Sequence, residues 1–122
     1  MHFSVTQKGI PLDPSKYTWD EKTKTFSTNE DDLVLDFSNI NGVTFKTGDY
    51  CTFKTGSSCT FKTLSECTFD TVYNCTFKTG SDCTFKTGSH CTFTCKEKCV
   101  IVRRDIFEVI LPKPEETIKL NG

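Results

Sequence analysis

Residues 75–93 read CTFKTGSDCTFKTGSHCTF, a stretch that repeats itself with an offset of eight. Cutting the chain at that interval gives LDFSNING from residue 35, VTFKTGDY, CTFKTGSS, CTFKTLSE, CTFDTVYN, CTFKTGSD, CTFKTGSH, CTFTCKEK and CVIVRRDI, nine units that read without an insertion. A helix would turn equivalent positions by about 80° per octad, so Phe45, Phe53 and Phe61 would spiral around it and share no face. Within a unit the first five residues alternate in the strand manner: Cys, Phe and Thr point one way, Thr and Lys the other. Phenylalanine holds position three at residues 37, 45, 53, 61, 69, 77, 85 and 93, with Ile101 in the last unit, which makes positions one and three the core. The remaining GDY, GSS, GSD or GSH supplies turn residues. Leu64, Val72 and Lys96 replace the glycine, and a β-branched residue resists positive φ, so that corner is not a strict left-handed position.

Short strands at one fixed repeat predict an all-β fold, a parallel β-solenoid built from eight-residue repeats in which equivalent residues stack at about 4.8 Å. Eight residues cannot close a coil. The preferred arrangement uses two octads per coil as two parallel sheets face to face, with Phe against Phe at the centre and the position-one Cys against the position-five Thr at each edge. The expected core is therefore Phe45, Phe53, Phe61, Phe69, Phe77, Phe85 and Phe93. Nine octads then make a rod of about 20 Å. The alternative is a three-chain β-helix, each chain giving one octad per layer and a rod of about 40 Å. A monomer is the preferred state and a trimer the rival.

Residues 1–34 lose the period, yet KYTW and KTKTF keep strand character around a DEKT turn, with Tyr17, Trp19 and Phe26 placed to cover the first coil. At the other end DIFEVILPKPEETIKL reads as two short strands around a proline-rich turn. Bare solenoid ends would pair edge to edge, so these segments read as terminal β caps. The expected organisation is a cap over 1–34, the solenoid over 35–104 and a second cap over 105–122.

Sixteen acidic and fifteen basic side chains leave a formal charge of −1, so no strong overall field draws the chain to nucleic acid or anionic lipid. MHFSVTQKG lacks the apolar centre of a signal peptide, and no apolar run reaches a membrane span, which points to the cytoplasm of the producing cell. Seven of the eight cysteines, 51, 59, 67, 75, 83, 91 and 99, recur once per repeat and read as a packing column of thiols.

The repeats C-T-F-K-T-G-S-x, followed by CVIVRRDIFEVI and ending in IKLNG, resemble a group of C-T-F-x-T-G octapeptide-repeat proteins of bacteriophages and bacteria. The resemblance covers about residues 16–122 and includes YTWDEKTKTFSTNEDDLVLDF. It implies a phage-associated or virion-associated setting and brings no activity with it.

Candidate chemistry is sparse. His90, Cys91, Cys95 and Cys99 fall within HCTFTCKEKC, a spacing that suggests zinc, but Cys91 and Cys99 belong to the column and His90 to a variable turn. Cys95 replaces the position-five threonine and faces Cys99 or Cys83. Plain packing is preferred there, a Cys95–Cys99 disulfide under oxidation comes second and a metal last. The outward threonines 44, 52, 60, 68, 76, 84 and 92 bring ice-binding surfaces to mind, but Lys46, Lys54, Lys62, Asp70, Lys78 and Lys86 stand beside them, so a solvated β-face is preferred. Acidic turns interleave with the lysines, which gives no strong nucleic-acid signal. No catalytic constellation, cofactor motif or phosphate loop is visible. The expectation is a non-enzymatic, phage-associated structural or attachment solenoid whose variable turns, with Tyr50, Tyr73 and His90 foremost, meet an unknown protein or surface. The alternatives are an ice-binding or other surface-binding solenoid using the Thr column, and a phage inhibitor of a host protein.

Overall fold

The computed structural model describes residues 3–38 and 40–120; residues 1–2 and 121–122 of the expected caps, and Asn39 of the first expected octad, lie outside them. The fold is all-β, with one short 3-10 turn among the described residues, at Pro14–Lys16. The N-terminal strands are β1 (Ser4–Gln7), β2 (Ile10–Pro11), β3 (Thr18–Asp20), β4 (Thr25–Ser27) and β5 (Leu33–Phe37). The regular repeats give β6 (Thr44–Lys46), β7 (Thr52–Thr55), β8 (Thr60–Lys62), β9 (Thr68–Asp70), β10 (Thr76–Lys78), β11 (Thr84–Thr87), β12 (Thr92–Thr94) and β13 (Val100–Arg103). β14 (Glu108–Ile110) and β15 (Thr117–Lys119) follow.

Successive strands alternate between two sheets. Sheet one has the order β2-β1-β5-β7-β9-β11-β13-β14, and sheet two β3-β4-β6-β8-β10-β12-β15. Phe45 pairs with Phe61, Phe61 with Phe77 and Phe77 with Phe93; on the other sheet Phe53 pairs with Phe69, Phe69 with Phe85 and Phe85 with Ile101. The register offset is therefore sixteen residues, two octads to a coil, and one chain closes each coil; the three-chain winding is not what this structure adopts. Antiparallel strands finish both ends of both sheets: β1 on β5, β3 on β4, β14 on β13 and β15 on β12.

The rings explain why the coil closes at this length. Within a sheet each phenylalanine stacks on the next, as Phe61 on Phe77 at 4.8 Å and 4°. Across the sheets they meet edge to face, as Phe61 against Phe53 at 5.3 Å and 77°. Both are favourable arrangements of the ring quadrupole, and the seven core phenylalanines are at most 1% exposed. Small groups fill the lens-shaped edges: the Thr87 hydroxyl lies 3.0 Å from the Cys91 sulfur, position five against position one.

Two features depart from the expected frame. Leu35, not Phe37, pairs with Phe53, while Phe37 pairs with Thr55 and so stands at position five. Residues 33–42 form a ten-residue unit in place of an octad, and the displaced Phe37 ring fills the bottom of the core, stacked on Phe3 at 4.3 Å and edge-on to Phe45 at 4.8 Å. Parallel pairing also starts earlier than residue 35: Phe26 pairs with Phe45, so KTFSTNEDD is a stretched octad and the boundary set between residues 34 and 35 runs through β5. Tyr17, Trp19 and Phe3 cover this first coil, with Tyr17 stacked on Phe26 at 5.0 Å.

At the corners position six is not left-handed, as expected from Leu64, Val72 and Lys96. Position eight, not the glycine at position six, is left-handed at every turn from Asp32 through Gly42, Tyr50, Ser58, Glu66, Asn74, Asp82 and His90 to Lys98, with φ between 56° and 72°. This conformation aims the N–H along the solenoid axis at the position-seven carbonyl of the next coil, as from Tyr50 to Ser65 at 3.0 Å and from Asn74 to Ser89 at 3.0 Å. An L-residue there costs of order 1 kcal/mol, offset by a bond that would otherwise go unmade. Position-six glycine serves close approach instead: a Cβ on Gly88 would lie 2.6 Å from the Val72 carbonyl oxygen in the preceding coil.

Candidate binding surfaces

Because octads alternate between sheets, the chemistry of the surface is decided by which octads share a side. The outward positions of sheet one carry Asp36, Lys54, Asp70 and Lys86 on successive strands. Opposite charges therefore neighbour one another, and Arg104 adds an ion pair to Asp70 at 2.7 Å. Asp36 is held below the usual carboxylate range by hydrogen bonds from the Ser38 hydroxyl and N–H, with Lys54 contributing.

Sheet two differs. Its outward columns are Thr25, Thr44, Thr60, Thr76 and Thr92, and beside them Ser27, Lys46, Lys62, Lys78 and Thr94. Three exposed ammonium groups thus follow one another up a flat face with a hydroxyl row at their side. Among the described residues none of the three makes an ion pair. Lys62 and Lys78, with Lys96, also border an open groove of about 400 Å³ floored by Thr63, Thr79 and Gly80.

The two edges differ as well. The corner that follows each sheet-two strand gathers Asp31, Asp32, Asp49, Glu66, Asp82 and Glu97, whereas the corner after each sheet-one strand carries Asn41, Ser57, Ser58, Tyr73, Asn74, Ser89 and His90. The acids are partly structural: Asp31 Oδ1 accepts the Asp49 N–H at 2.7 Å and Asp49 Oδ1 the Ser65 N–H at 2.8 Å, tying coil to coil.

The expected contact residues are exposed but divided between these edges. Tyr50 is 56% exposed on the acidic edge, where the charge of Glu66 raises its phenol pKa. Tyr73 and His90 stand on the opposite edge in adjacent coils; the His90 ring nitrogen Nδ1 lies 3.1 Å from the Ser89 hydroxyl. The structure brings Tyr73 and His90 to one edge and leaves Tyr50 apart.

All eight cysteines are buried, unbridged thiols. Cys95 lies beside Cys99, as its position-five placement predicts. The mid-column thiols Cys67 and Cys75 are pushed up by their hydrogen bonds to Cys51 and Cys59 and by burial. At the end of its column Cys91 is lowered to about 6, chiefly by the Cys75 thiol and then by the Thr87 hydroxyl. Among the described residues no cluster of His, Cys, Asp or Glu is arranged to hold a metal. No helix among them is long and apolar enough to cross a membrane.

No protein-family model matches the chain, and neither does any curated protein or solved structure. The surface rests on its own geometry. The lysine row of sheet two was visible in the sequence only as half of a longer stripe. The missing signal was octad parity, since Lys46, Lys62 and Lys78 are sixteen apart, while in the other series Asp36 precedes Lys54 and Asp70 falls between Lys54 and Lys86.

Proposed function

We propose that this chain is a non-enzymatic, phage-associated structural or attachment solenoid that holds its variable turns out for contact with a protein or surface partner. It is made in the cytoplasm of the producing cell and becomes virion-associated, the setting that the octapeptide resemblance implies. The observation that carries the reading is the corner geometry. Tyr73 and His90 project from adjacent coils whose backbones are tied together at position eight, and Tyr73 is 51% exposed. Side chains on so stiff a ladder lose little conformational freedom on docking, which favours recognition.

The test is co-purification of the tagged chain with phage particles from infected cells, quantified by mass spectrometry. Particle association that drops sharply in a Tyr73→Ala/His90→Ala variant with an unchanged β-sheet spectrum supports the proposal. Recovery wholly in the particle-free fraction refutes it. The ice-binding alternative has less behind it, because each sheet-two threonine at 44, 60 and 76 is flanked two residues on by a lysine, whose mobile charge disturbs an ordered water layer.

A further inference from the structure

We propose that the outer face of sheet two is a binding site for a linear anionic polysaccharide of the polyuronate class, laid along the solenoid axis over Lys46, Lys62 and Lys78. Four observations converge on it. Like charges directly opposite one another on neighbouring strands repel, and the column Lys46–Lys62–Lys78 places three ammonium groups in that relation in exact register. Sheet one, built from the same repeat, interrupts the same column with Asp36 and Asp70. Sheet two carries no acid within that column; its nearest acids stand on the following corner and, beside Lys46, at Asp20 and Glu21, so an anionic partner relieves the repulsion between strand neighbours.

The second observation is the company the lysines keep. Thr44, Thr60 and Thr76 align beside them on the same face, each a hydroxyl that both donates and accepts. A ligand with one carboxylate and several hydroxyls per unit meets both rows at once. Strand spacing sets one Lys and one Thr about every 4.8 Å, a step of the same order as one sugar residue in an extended chain.

Third, a groove runs beside the column. Position six carries Leu64, Gly80 and Lys96 in successive coils up this corner, and a space of about 400 Å³ lies between them and Lys62 and Lys78. A Cβ at Gly80 would stand 2.3 Å from the Ser65 hydroxyl oxygen, so the site also depends on glycine sterically. Its lining contains no acid.

Fourth, the face argues against a single-stranded nucleic acid or an anionic membrane as the occupant. Single-stranded nucleic acid is held by aromatic stacking as well as by charge, and the rings of sheet two, Phe45, Phe61, Phe77 and Phe93, are all buried. An anionic membrane would ask for apolar side chains that enter the interface, and between β4 and β12 the outward positions of this sheet carry only Thr, Ser and Lys.

This site is separate from the turn residues, so the proposal stands or falls independently of Tyr73 and His90. The experiment is calorimetric titration of the intact protein with polygalacturonate, with neutral dextran, oligothymidylate and phosphatidylserine vesicles in parallel. Saturable binding to polygalacturonate is expected, weakening as salt rises and falling roughly tenfold or more in Lys62→Gln/Lys78→Gln. Thr60→Val/Thr76→Val weakens it without altering the salt dependence, while Lys54→Gln/Lys86→Gln, on the other face, leaves it unchanged. A native β-sheet spectrum for each variant shows that binding and not folding was altered. The proposal is overturned by no saturable binding to polygalacturonate, by equal loss in the Lys54/Lys86 pair, or by oligothymidylate or vesicles binding as tightly.

Discussion

Replacing a ring in the middle of the spine and one at its end separates stacking from mere burial. Phe61 touches four rings: Phe45 at 5.0 Å and Phe77 at 4.8 Å in its own sheet, Phe53 at 5.3 Å and Phe69 at 5.1 Å across the core. Phe93 is equally buried but meets two, Phe77 at 4.8 Å and Phe85 at 5.0 Å. Substituting leucine at each removes a ring, leaves an apolar side chain and creates a similar small void, so the shared burial term largely cancels. What remains is two additional ring pairs at Phe61, each worth about 0.5–1.5 kcal/mol beyond area. Phe61→Leu should therefore be about 1–3 kcal/mol less stable than Phe93→Leu, or several degrees in Tm for a domain of this size. Urea unfolding followed by circular dichroism reads the difference as a shift in midpoint at constant slope. Equal midpoints for the two variants would mean that the rings act only as bulk and that the register of stacked phenylalanines is not what stabilises the coil.

Two further outcomes follow from the position-five and position-one columns. Among the described residues the buried hydroxyl of Thr63 has no hydrogen-bond partner, whereas Thr71 donates to the Thr87 hydroxyl at 2.9 Å. Thr63→Val should stabilise by about 1 kcal/mol and Thr71→Val should destabilise by a similar amount, and thermal melts showing the same sign for both would contradict that assignment. All eight thiols are at most 2% exposed, so a thiol reagent should find almost none in the native protein and eight after denaturation. Cys91, although its pKa is lowered to about 6, should react no faster than global or end-coil opening allows. Prompt modification in the native state, read by intact-protein mass spectrometry, would show the column to be open.

The repeat itself was legible because the pattern is redundant. Alternation within each octad specified strands, and phenylalanine at position three specified the core. The size match of large centre and small edges favoured two octads per coil. Phe37 shows where that redundancy misleads. Counting back by eight from Phe45 lands on a phenylalanine, yet the ten-residue unit shifts the frame, and hydrogen bonding places Leu35 beside Phe53. Sequence periodicity cannot see an insertion absorbed in a turn when a residue of the right type happens to fall in the counted position. Position eight was illegible for another reason. Tyr50, Glu66 and Lys98 bear no mark of left-handed backbone, and glycine, the residue that does, sits two places earlier for steric clearance.

From the amino-acid order alone came the strand, the turn and the identity of the buried side chains, because those depend on neighbours within a few residues. Tertiary structure alone decided which octads stand above one another. That sorted one lysine stripe into a neutralised face and a cationic one and gathered the interleaved acids onto an edge. The physical reason is that charge acts through space: Lys62 and Asp70 are close in the chain but face opposite sides of the coil, whereas Lys62 and Lys78, sixteen residues apart, are immediate neighbours.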